Sequence, residues 1–345
     1  MSPVNDPAPR DEAVVLSAKW LTAVLEDGHP GVVASGARVV ERLETVATKI
    51  RFHVDYTQSA QAPAALCAKG YFNPVHTRFG RTEAEFYRLA AQELPVRTPP
   101  CVYAGIDDRT GHSVVLMHDL IAAGAQFLDP RVAYDIERAA ATLDQLAALH
   151  AATWSGARPA LDALFQPRLV SLSGHLSPGQ LQELLNDGRA QELSAPARRA
   201  ERILAAMTAM DRLRPRSPSC LVHGDLHTGN IYYLPDGSAG LIDWQVVQLG
   251  VWALDVGYHL ATVLDPGDLA DHESALLDHY LDRLAARGVT PPDRERAWWM
   301  YRAYLPYGLF LWSMTRAVDR PIIEHLTGRL ARAVERHHSL DLLGV

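Results

Sequence analysis

Apolar residues along the first third of the chain fall into short runs, and those beyond it recur at helical spacing. From Ala13 to Leu25 the positions Val14, Val15, Ala18, Leu21, Val24 and Leu25 keep a helical period, so the chain is expected to open on one helix. The pairs Val32-Val33 and Val39-Val40, and the alternation of Ile50, Phe52, Val54 and Tyr56 across Lys49 to Tyr56, predict strands of an antiparallel sheet. Ala64 to Tyr71 reads as an apolar strand interrupted by a single cation, Lys69. Cys101 to Gly105 and Ser113 to Met117, joined by an Asp107 to Gly111 turn, predict two more strands, about five in all.

After Met117-His118-Asp119-Leu120 the pattern turns helical. Tyr134 to Trp154 carries Ile136, Ala140, Leu143, Leu146, Ala147, Leu149 and His150 on overlapping faces, as a long core helix does. Pro196 to Leu213 predicts a second helix, with proline in the first turn where its missing N–H costs nothing. Residues 269 to 287, 292 to 316 and 320 to 338 are helical by period, whereas 156 to 193 mixes Gly, Pro and Ser and keeps none. The fold class is α+β, sheet first and helices after.

Between the helical stretches stands Leu221-Val222-His223-Gly224-Asp225-Leu226-His227-Thr228-Gly229-Asn230, then a predicted hairpin and Leu241-Ile242-Asp243-Trp244-Gln245. Moving a γ-phosphoryl group takes a carboxylate at the attacking hydroxyl and oxygen ligands holding Mg²⁺ on the phosphates, and Asp225, Asn230 and Asp243 are residues of those types. His223, Asp225 and Asn230 stand at the offsets of a protein-kinase loop, H-R-D-x-x-x-x-N, with Gly224 in the arginine position. The loop resembles the H-G-D-x-H-x-x-N loop of the aminoglycoside phosphotransferase and choline kinase-like superfamily. The Asp243-Trp244-Gln245 form, with Gly250 and Asp255 downstream, resembles most the branch of ecdysteroid kinase-like proteins and uncharacterised bacterial phosphotransferases.

That resemblance implies a two-lobed protein-kinase-like fold, with an antiparallel-sheet N-terminal lobe over residues 1–118 and a mainly helical C-terminal lobe over 119–345. It implies Asp225 as the catalytic carboxylate, Asn230 and Asp243 as Mg²⁺ ligands, and ATP or GTP as phosphoryl donor. Ala64 to Tyr71 resembles the V-A-I-K strand, which makes Lys69 the phosphate-binding lysine. Its partner belongs to the next helix, which Thr82 is expected to cap. Counting back from Leu94-Pro95-Val96 favours Glu83, with Glu85 second. Met117 to Leu120 resembles the interlobe hinge, where the His118 carbonyl and the Leu120 amide would meet the base. Leu43 to Thr48 sits at the position of the phosphate-covering loop but is not Gly-rich; a plain hairpin fits it equally. His150 is expected to cap backbone near the catalytic loop, Asp255 to fix that loop by hydrogen bonds, and residues 156–193 to form an insertion over the acceptor site.

Composition narrows the partners. The 345 residues are 48% hydrophobic and 21% charged with a net charge of −7, so no basic field gathers nucleic acid or anionic lipid. Cys67, Cys101 and Cys220 are scattered, no apolar run reaches a membrane span, and the Pro-rich start from Met1 to Pro7 lacks the segments of a signal peptide and is expected to fray. A cytoplasmic monomer or homodimer is the expectation. No activation loop or A-P-E motif follows Asp243, which argues against a protein kinase.

Three other readings stay open: a metallohydrolase using His223, Asp225 and His227, a catalytically silent nucleotide-binding regulator, and a kinase of aminoglycoside or choline type. The segment Trp298 to Trp312 is rich in aromatics and carries no carboxylate. Pro306 and Gly308 are expected to kink it and expose part of the stripe, which points to a largely apolar alcohol as acceptor.

Overall fold

The computed structural model describes residues 6–72 and 80–345, so the first five residues of the Pro-rich start lie outside the described residues. Two compact units emerge: Met1–Glu93, Thr98–Gln126 and Asp243–Gln245 form the first, and Leu94–Arg97, Phe127–Ile242 and Val246–Val345 the second.

In the first unit, the strands β1 (Val33–Glu44), β2 (Thr48–Gln58), β3 (Ala65–Gly70), β4 (Cys101–Ile106) and β5 (Ser113–His118) make an antiparallel sheet in the order β1-β2-β3-β5-β4. The two expected valine strands are one strand, β1. Its register shifts at Val33/Ala34, Ala34/Gly36 and Val39/Glu41, which breaks the alternation that sequence periodicity relies on. β2 keeps it, and Ile50, Phe52 and Val54 are buried.

The expected opening helix is two, α1 (Glu12–Val15) and α2 (Ala18–Leu25). Ser17 is extended between them; its hydroxyl donates to the Val14 carbonyl (2.7 Å) and accepts from the Trp20 amide (3.3 Å). A serine that caps in this way overrides an unbroken apolar period. Trp20, Leu21, Val24 and Leu25 then pack on Phe52, Leu66, Val114 and Leu116. Residues Asp6 to Ala8 are tied down rather than frayed: Trp20 Nε1 donates to the Asp6 carbonyl and Tyr103 Oη to that of Pro7, both at 2.9 Å, and His112 Nδ1 lies 2.9 Å from that of Ala8. The helix α3 (Arg81–Leu89) is preceded by Gly80 and has no side-chain cap, so Thr82 lies inside it.

A two-residue strand, β6 (Gln126–Phe127), stands at the change of unit. The second unit holds the long helix α4 (Ile136–Ala152), capped by Asp135, then α5 (Pro159–Leu164), α6 (Leu169–Ser173) and α7 (Pro178–Leu184). These short helices occupy the stretch that showed no period. The next helix, α8 (Ala200–Leu213), starts four residues later than expected and leaves Pro196 in a turn, because Gln182 accepts the Ala200 amide (2.9 Å) and donates to the Arg198 carbonyl (3.1 Å) at its start.

The strand β7 (Ser219–Val222) is followed by the hairpin β8 (Ile231–Tyr233) and β9 (Ala239–Leu241), and by β10 (Gln248–Val251), which pairs antiparallel with β7. The helices α9 (Ala253–Val263), α10 (Pro266–Ala285), α11 (Arg294–Tyr304), α12 (Pro306–Met314), α13 (Arg320–Arg336) and α14 (Ser339–Leu342) complete the unit. Pro306 divides α11 from α12, as its missing N–H requires. Among the described residues no helix is long and apolar enough to cross a membrane.

Candidate active site

The first unit brings together Lys69, Glu83 and Asp243. Lys69 lies near the end of β3, its neighbours Ala68 and Gly70 buried with it. Its Nζ is 2.7 Å from Glu83 Oε2 and 2.9 Å from Asp243 Oδ1, with 3%, 2% and 14% of the three side chains exposed. Burial opposes the ammonium charge, but Asp243 and Glu83 outweigh it and hold Lys69 well above the usual lysine value. The choice between the two glutamates is resolved by the turn of α3: Glu83 points to Lys69, while Glu85 pairs with Arg81 at 2.9 Å. Trp244 stacks on Phe86 of α3, centroids 3.9 Å apart and planes 9° off parallel, and Tyr71 Oη donates to Gln245 Oε1 at 3.0 Å. The Asp-Trp-Gln triplet is thereby fixed to the helix carrying Glu83. Asp243 has φ +67°, a left-handed conformation that costs a residue with a Cβ on the order of 1 kcal/mol and clusters at functional sites.

Leu43 to Thr48 is a hairpin turn in which Thr45 spends both its amide (2.9 Å) and its hydroxyl (3.1 Å) on the Ala47 carbonyl. His118 ends β5, its amide on the Pro100 carbonyl at 3.0 Å, and Leu120 opens the turn that follows. Burial lowers the His118 imidazole below its usual value. Asp119 between them takes Arg51 Nε on both oxygens (3.0 and 3.1 Å) and caps the amides of Ile121 (3.0 Å) and Ala122 (3.3 Å), which makes the segment stiff.

In the second unit the catalytic-loop motif leaves β7 at His223. Gly224 has φ +81°, and a Cβ there would come within 2.6 Å of the Val246 carbonyl oxygen; this explains the glycine in the arginine position. Asp255, wholly buried in the first turn of α9, accepts from the amides of His223 (2.7 Å) and Gly224 (2.8 Å). Burial disfavours its charge, yet the bond from His150 and the groups around it bring the carboxylate below its ordinary value. His150 does not cap backbone as expected: its Nε2 meets Asp255 Oδ2 at 3.1 Å and its Nδ1 meets Tyr280 Oη at 2.7 Å, so it steadies the carboxylate that steadies the loop.

The Asp225 carboxylate accepts from Tyr258 Oη at Oδ1 (2.9 Å) and from Asn230 Nδ2 at Oδ2 (3.3 Å), and Asn230 Nδ2 also donates to the Asp225 carbonyl (2.7 Å). The expected β8–β9 hairpin forms, pairing Ile231 with Leu241 and Tyr233 with Ala239, and the Ile242 amide donates to the Asn230 carbonyl at 3.0 Å, one residue before Asp243 in the chain.

His223 and His227 have other work than binding a transition metal. His223 Nδ1 accepts from the Asp225 amide (3.2 Å) and Nε2 lies 2.9 Å from the Ile242 carbonyl, which fixes the Nε2–H tautomer; His227 Nδ1 accepts from the Gly229 amide at 3.1 Å. Among the described residues no cluster of three or more His, Cys, Asp or Glu could hold a metal. In the second unit Asn230 spends its amide nitrogen inside the loop, on the Asp225 carbonyl and carboxylate, and in the first unit Asp243 carries a carboxylate; both side chains offer oxygen, the donor atom that a hard cation takes.

From Tyr301 to Trp312 the aromatic segment is core, contrary to the expected exposure there, while Trp298 and Trp299 are half-buried. Tyr301, Tyr304, Tyr307 and Phe310 are wholly buried and Trp312 is 4% exposed. Their polar tips are paired inward: Tyr307 Oη donates to the Gly224 carbonyl (2.7 Å), Tyr304 Oη to that of Met210 (3.1 Å), and Trp312 Nε1 to Tyr258 Oη (2.7 Å). Gly308 makes the packing close, since a Cβ there would stand 2.5 Å from Tyr258 Cδ2. Tyr258, Tyr307 and Trp312 lie at the candidate site although they stand outside its loop motif, His223 to Asn230. The one signal was that Tyr258 follows Asp255 by three residues, hence on the same face of α9.

Comparison with known proteins bears on the family and the fold. The model of the phosphotransferase enzyme family (APH) matches residues 72–299. No curated protein matches the sequence. Among solved structures, an aminoglycoside 2'-phosphotransferase-IIIa in its GDP complex is 15% identical with TM-score 0.52, over 93% of this chain and 99% of that one. Choline kinase LicA from Streptococcus pneumoniae is 14% identical with TM-score 0.51, over 93% and 98%. A macrolide 2'-phosphotransferase type I is 18% identical with TM-score 0.50, over 91% and 98%. At these identities the likeness is one of fold, the two-lobed α+β kinase-like fold.

Proposed function

The chain belongs to the phosphotransferase enzyme family, and from that premise we propose that it transfers the γ-phosphoryl group of ATP or GTP to a hydroxyl of a small molecule. The observation that carries the reading is Lys69, buried and held charged at 2.7 Å from Glu83 and 2.9 Å from Asp243. A buried ammonium so placed is a fixed positive charge for phosphate oxygens, and Glu83 keeps it in position. The GDP complex of one fold neighbour supports a nucleotide donor. In this reading residues 1–118 are the nucleotide-binding lobe and 119–345 the catalytic lobe, with the His118 carbonyl and the Leu120 amide receiving the base.

Asp225 orients the acceptor hydroxyl and takes its proton as the bond to phosphorus forms; it need not be a strong base, because the transition state is loose. Asn230 and Asp243 would hold Mg²⁺, which when bound neutralises charge on the phosphates. Asp255, His150 and Tyr307 keep the loop backbone rigid, so that Asp225 stays aimed.

For the acceptor we propose a largely apolar alcohol. Its support is charge alone: the rings from Tyr301 to Trp312 are buried and offer no wall, but no carboxylate lies between Trp298 and Thr315 to meet a polycation. The test is a panel of a macrolide, an aminoglycoside, choline, ethanolamine and a sterol, each with Mg²⁺ and ATP or GTP, read by nucleoside diphosphate release and by Mg²⁺-nucleotide thermal stabilisation. Turnover is expected on the macrolide or the sterol. Efficient turnover on the aminoglycoside or choline alone refutes the apolar acceptor, and neither stabilisation nor turnover with any member refutes nucleotide-dependent transfer.

A further inference from the structure

Asp225 is gripped by a hydrogen-bond chain that starts two helices away. Trp312 Nε1 donates to Tyr258 Oη at 2.7 Å, and Tyr258 Oη donates to Asp225 Oδ1 at 2.9 Å. The direction is forced. An indole N–H only donates, so the phenol oxygen accepts there, and its single proton is left for the carboxylate. Tyr258 is wholly buried; burial first, and then Asp225, push its ionisation well above the usual tyrosine value, so it remains a donor at every working pH.

Both ends of the chain are braced. Gly308 lets α12 press on the Tyr258 ring, and the Tyr307 ring meets it edge-on at 6.2 Å. Trp312 lies near the end of α12, whose terminal carbonyls at Ser313 (3.0 Å) and Thr315 (2.6 Å) accept from Arg189 Nη1, and its ring meets His227 edge-on at 5.1 Å. Phenylalanine would serve packing alone at position 258. The hydroxyl is spent on a carboxylate whose other oxygen faces Asn230 Nδ2 at 3.3 Å, so the two bonds together fix the rotation of the carboxylate.

We propose that Tyr258 is a positioning residue for phosphoryl transfer, which locks the Asp225 carboxylate in the orientation that receives the acceptor hydroxyl, and that Trp312 sets the direction of its proton. This rests on the proposed role of Asp225 and extends it to residues outside the motif. A carboxylate free to turn presents the right oxygen only part of the time, and that loss appears in the chemical step rather than in nucleotide binding.

The experiment compares full-length Tyr258→Phe, Trp312→Phe, the double variant and Asp225→Asn, using the fastest acceptor of the panel above. Tyr258→Phe is expected to lower kcat roughly tenfold or more while the nucleotide KM stays within about twofold. Trp312→Phe should give a smaller loss of the same kind, and the double variant should be no slower than Tyr258→Phe, because Trp312 acts only through Tyr258. A merely structural role would predict additive losses and no split between kcat and KM; that result overturns the proposal. Wild-type kcat in Tyr258→Phe beside a disabled Asp225→Asn overturns it too and leaves the role of Asp225 standing. Wild-type turnover in Asp225→Asn overturns that role and the proposal with it. If Tyr258→Phe fails to fold, Trp312→Phe carries the same test, and an unchanged kcat there counts against the chain.

Discussion

Asp255→Asn keeps the size of the side chain and removes the charge on which the catalytic loop hangs. Asp255 accepts three bonds in a wholly buried place, from the amides of His223 at 2.7 Å and Gly224 at 2.8 Å and from His150 Nε2 at 3.1 Å. An asparagine oxygen can still serve one amide, but its NH₂ group then faces a second N–H. With charge-assisted bonds worth about 1.5–3 kcal/mol each and an orphaned buried amide costing about 1–3, the net loss is on the order of 2–4 kcal/mol. In a chain of this size that lowers Tm by roughly 3–6 °C.

The pH dependence carries a sign. The carboxylate sits below its ordinary value in the folded protein, so its stabilisation is complete above the unfolded value, near about 4, and is lost as pH falls through the folded value. The gap between wild type and Asp255→Asn should therefore be widest near neutrality and close below about pH 4. Urea unfolding at several pH values measures it, with kcat followed on the same samples. A stability difference under about 0.5 kcal/mol at neutral pH would refute the view that this carboxylate holds the loop.

Glu83→Gln should weaken nucleotide use by roughly tenfold, because Lys69 loses the nearer of its two anions, while Glu85→Gln, which frees only Arg81, should stay within about twofold; nucleotide KM values decide between them. Gly224→Ala is expected to destabilise by about 2–4 kcal/mol, since the new Cβ meets the Val246 carbonyl at a positive φ; a melting curve like that of wild type would count against the loop geometry. His259 is buried and driven down to about 4 by desolvation, with backbone groups of Leu226 and Ala139 pulling the other way. The unfolded chain then binds the extra proton first, so stability should fall by on the order of 1–3 kcal/mol as pH drops from about 6.5 towards 4, and His259→Gln should flatten that slope in pH-dependent unfolding.

What was legible in the sequence was local. The β8–β9 hairpin, the Lys69 strand and the helix bearing Glu83 follow from short apolar periods and turn residues, and the candidate catalytic loop from fixed offsets within ten residues. Where tertiary or capping bonds decide, the period misled: Ser17 split the opening helix, Gln182 moved the start of α8, and register shifts in β1 joined two expected strands. The aromatic stripe misled for another reason. Its rings from Tyr301 onward are buried, and Tyr307, Tyr304 and Trp312 send their polar tips to Gly224, Met210 and Tyr258, contacts separated by 83, 94 and 54 residues that no local pattern encodes. That Trp312 bonds to Tyr258, and Tyr258 to Asp225, is hidden on the same ground, although Tyr258 lies three residues beyond Asp255.

The most direct measurement is transfer of a radiolabelled γ-phosphate from ATP and GTP, with Mg²⁺, to the members of the acceptor panel, run with wild type, Asp225→Asn and Asp243→Ala. Wild type should yield a labelled, phosphatase-sensitive product from at least one alcohol. Asp225→Asn should bind nucleotide but transfer roughly 100-fold more slowly, and Asp243→Ala should lose Mg²⁺-dependent nucleotide binding along with transfer. Label transfer by Asp225→Asn at the wild-type rate, or Mg²⁺-nucleotide binding undiminished in Asp243→Ala, would contradict the assignment of this site.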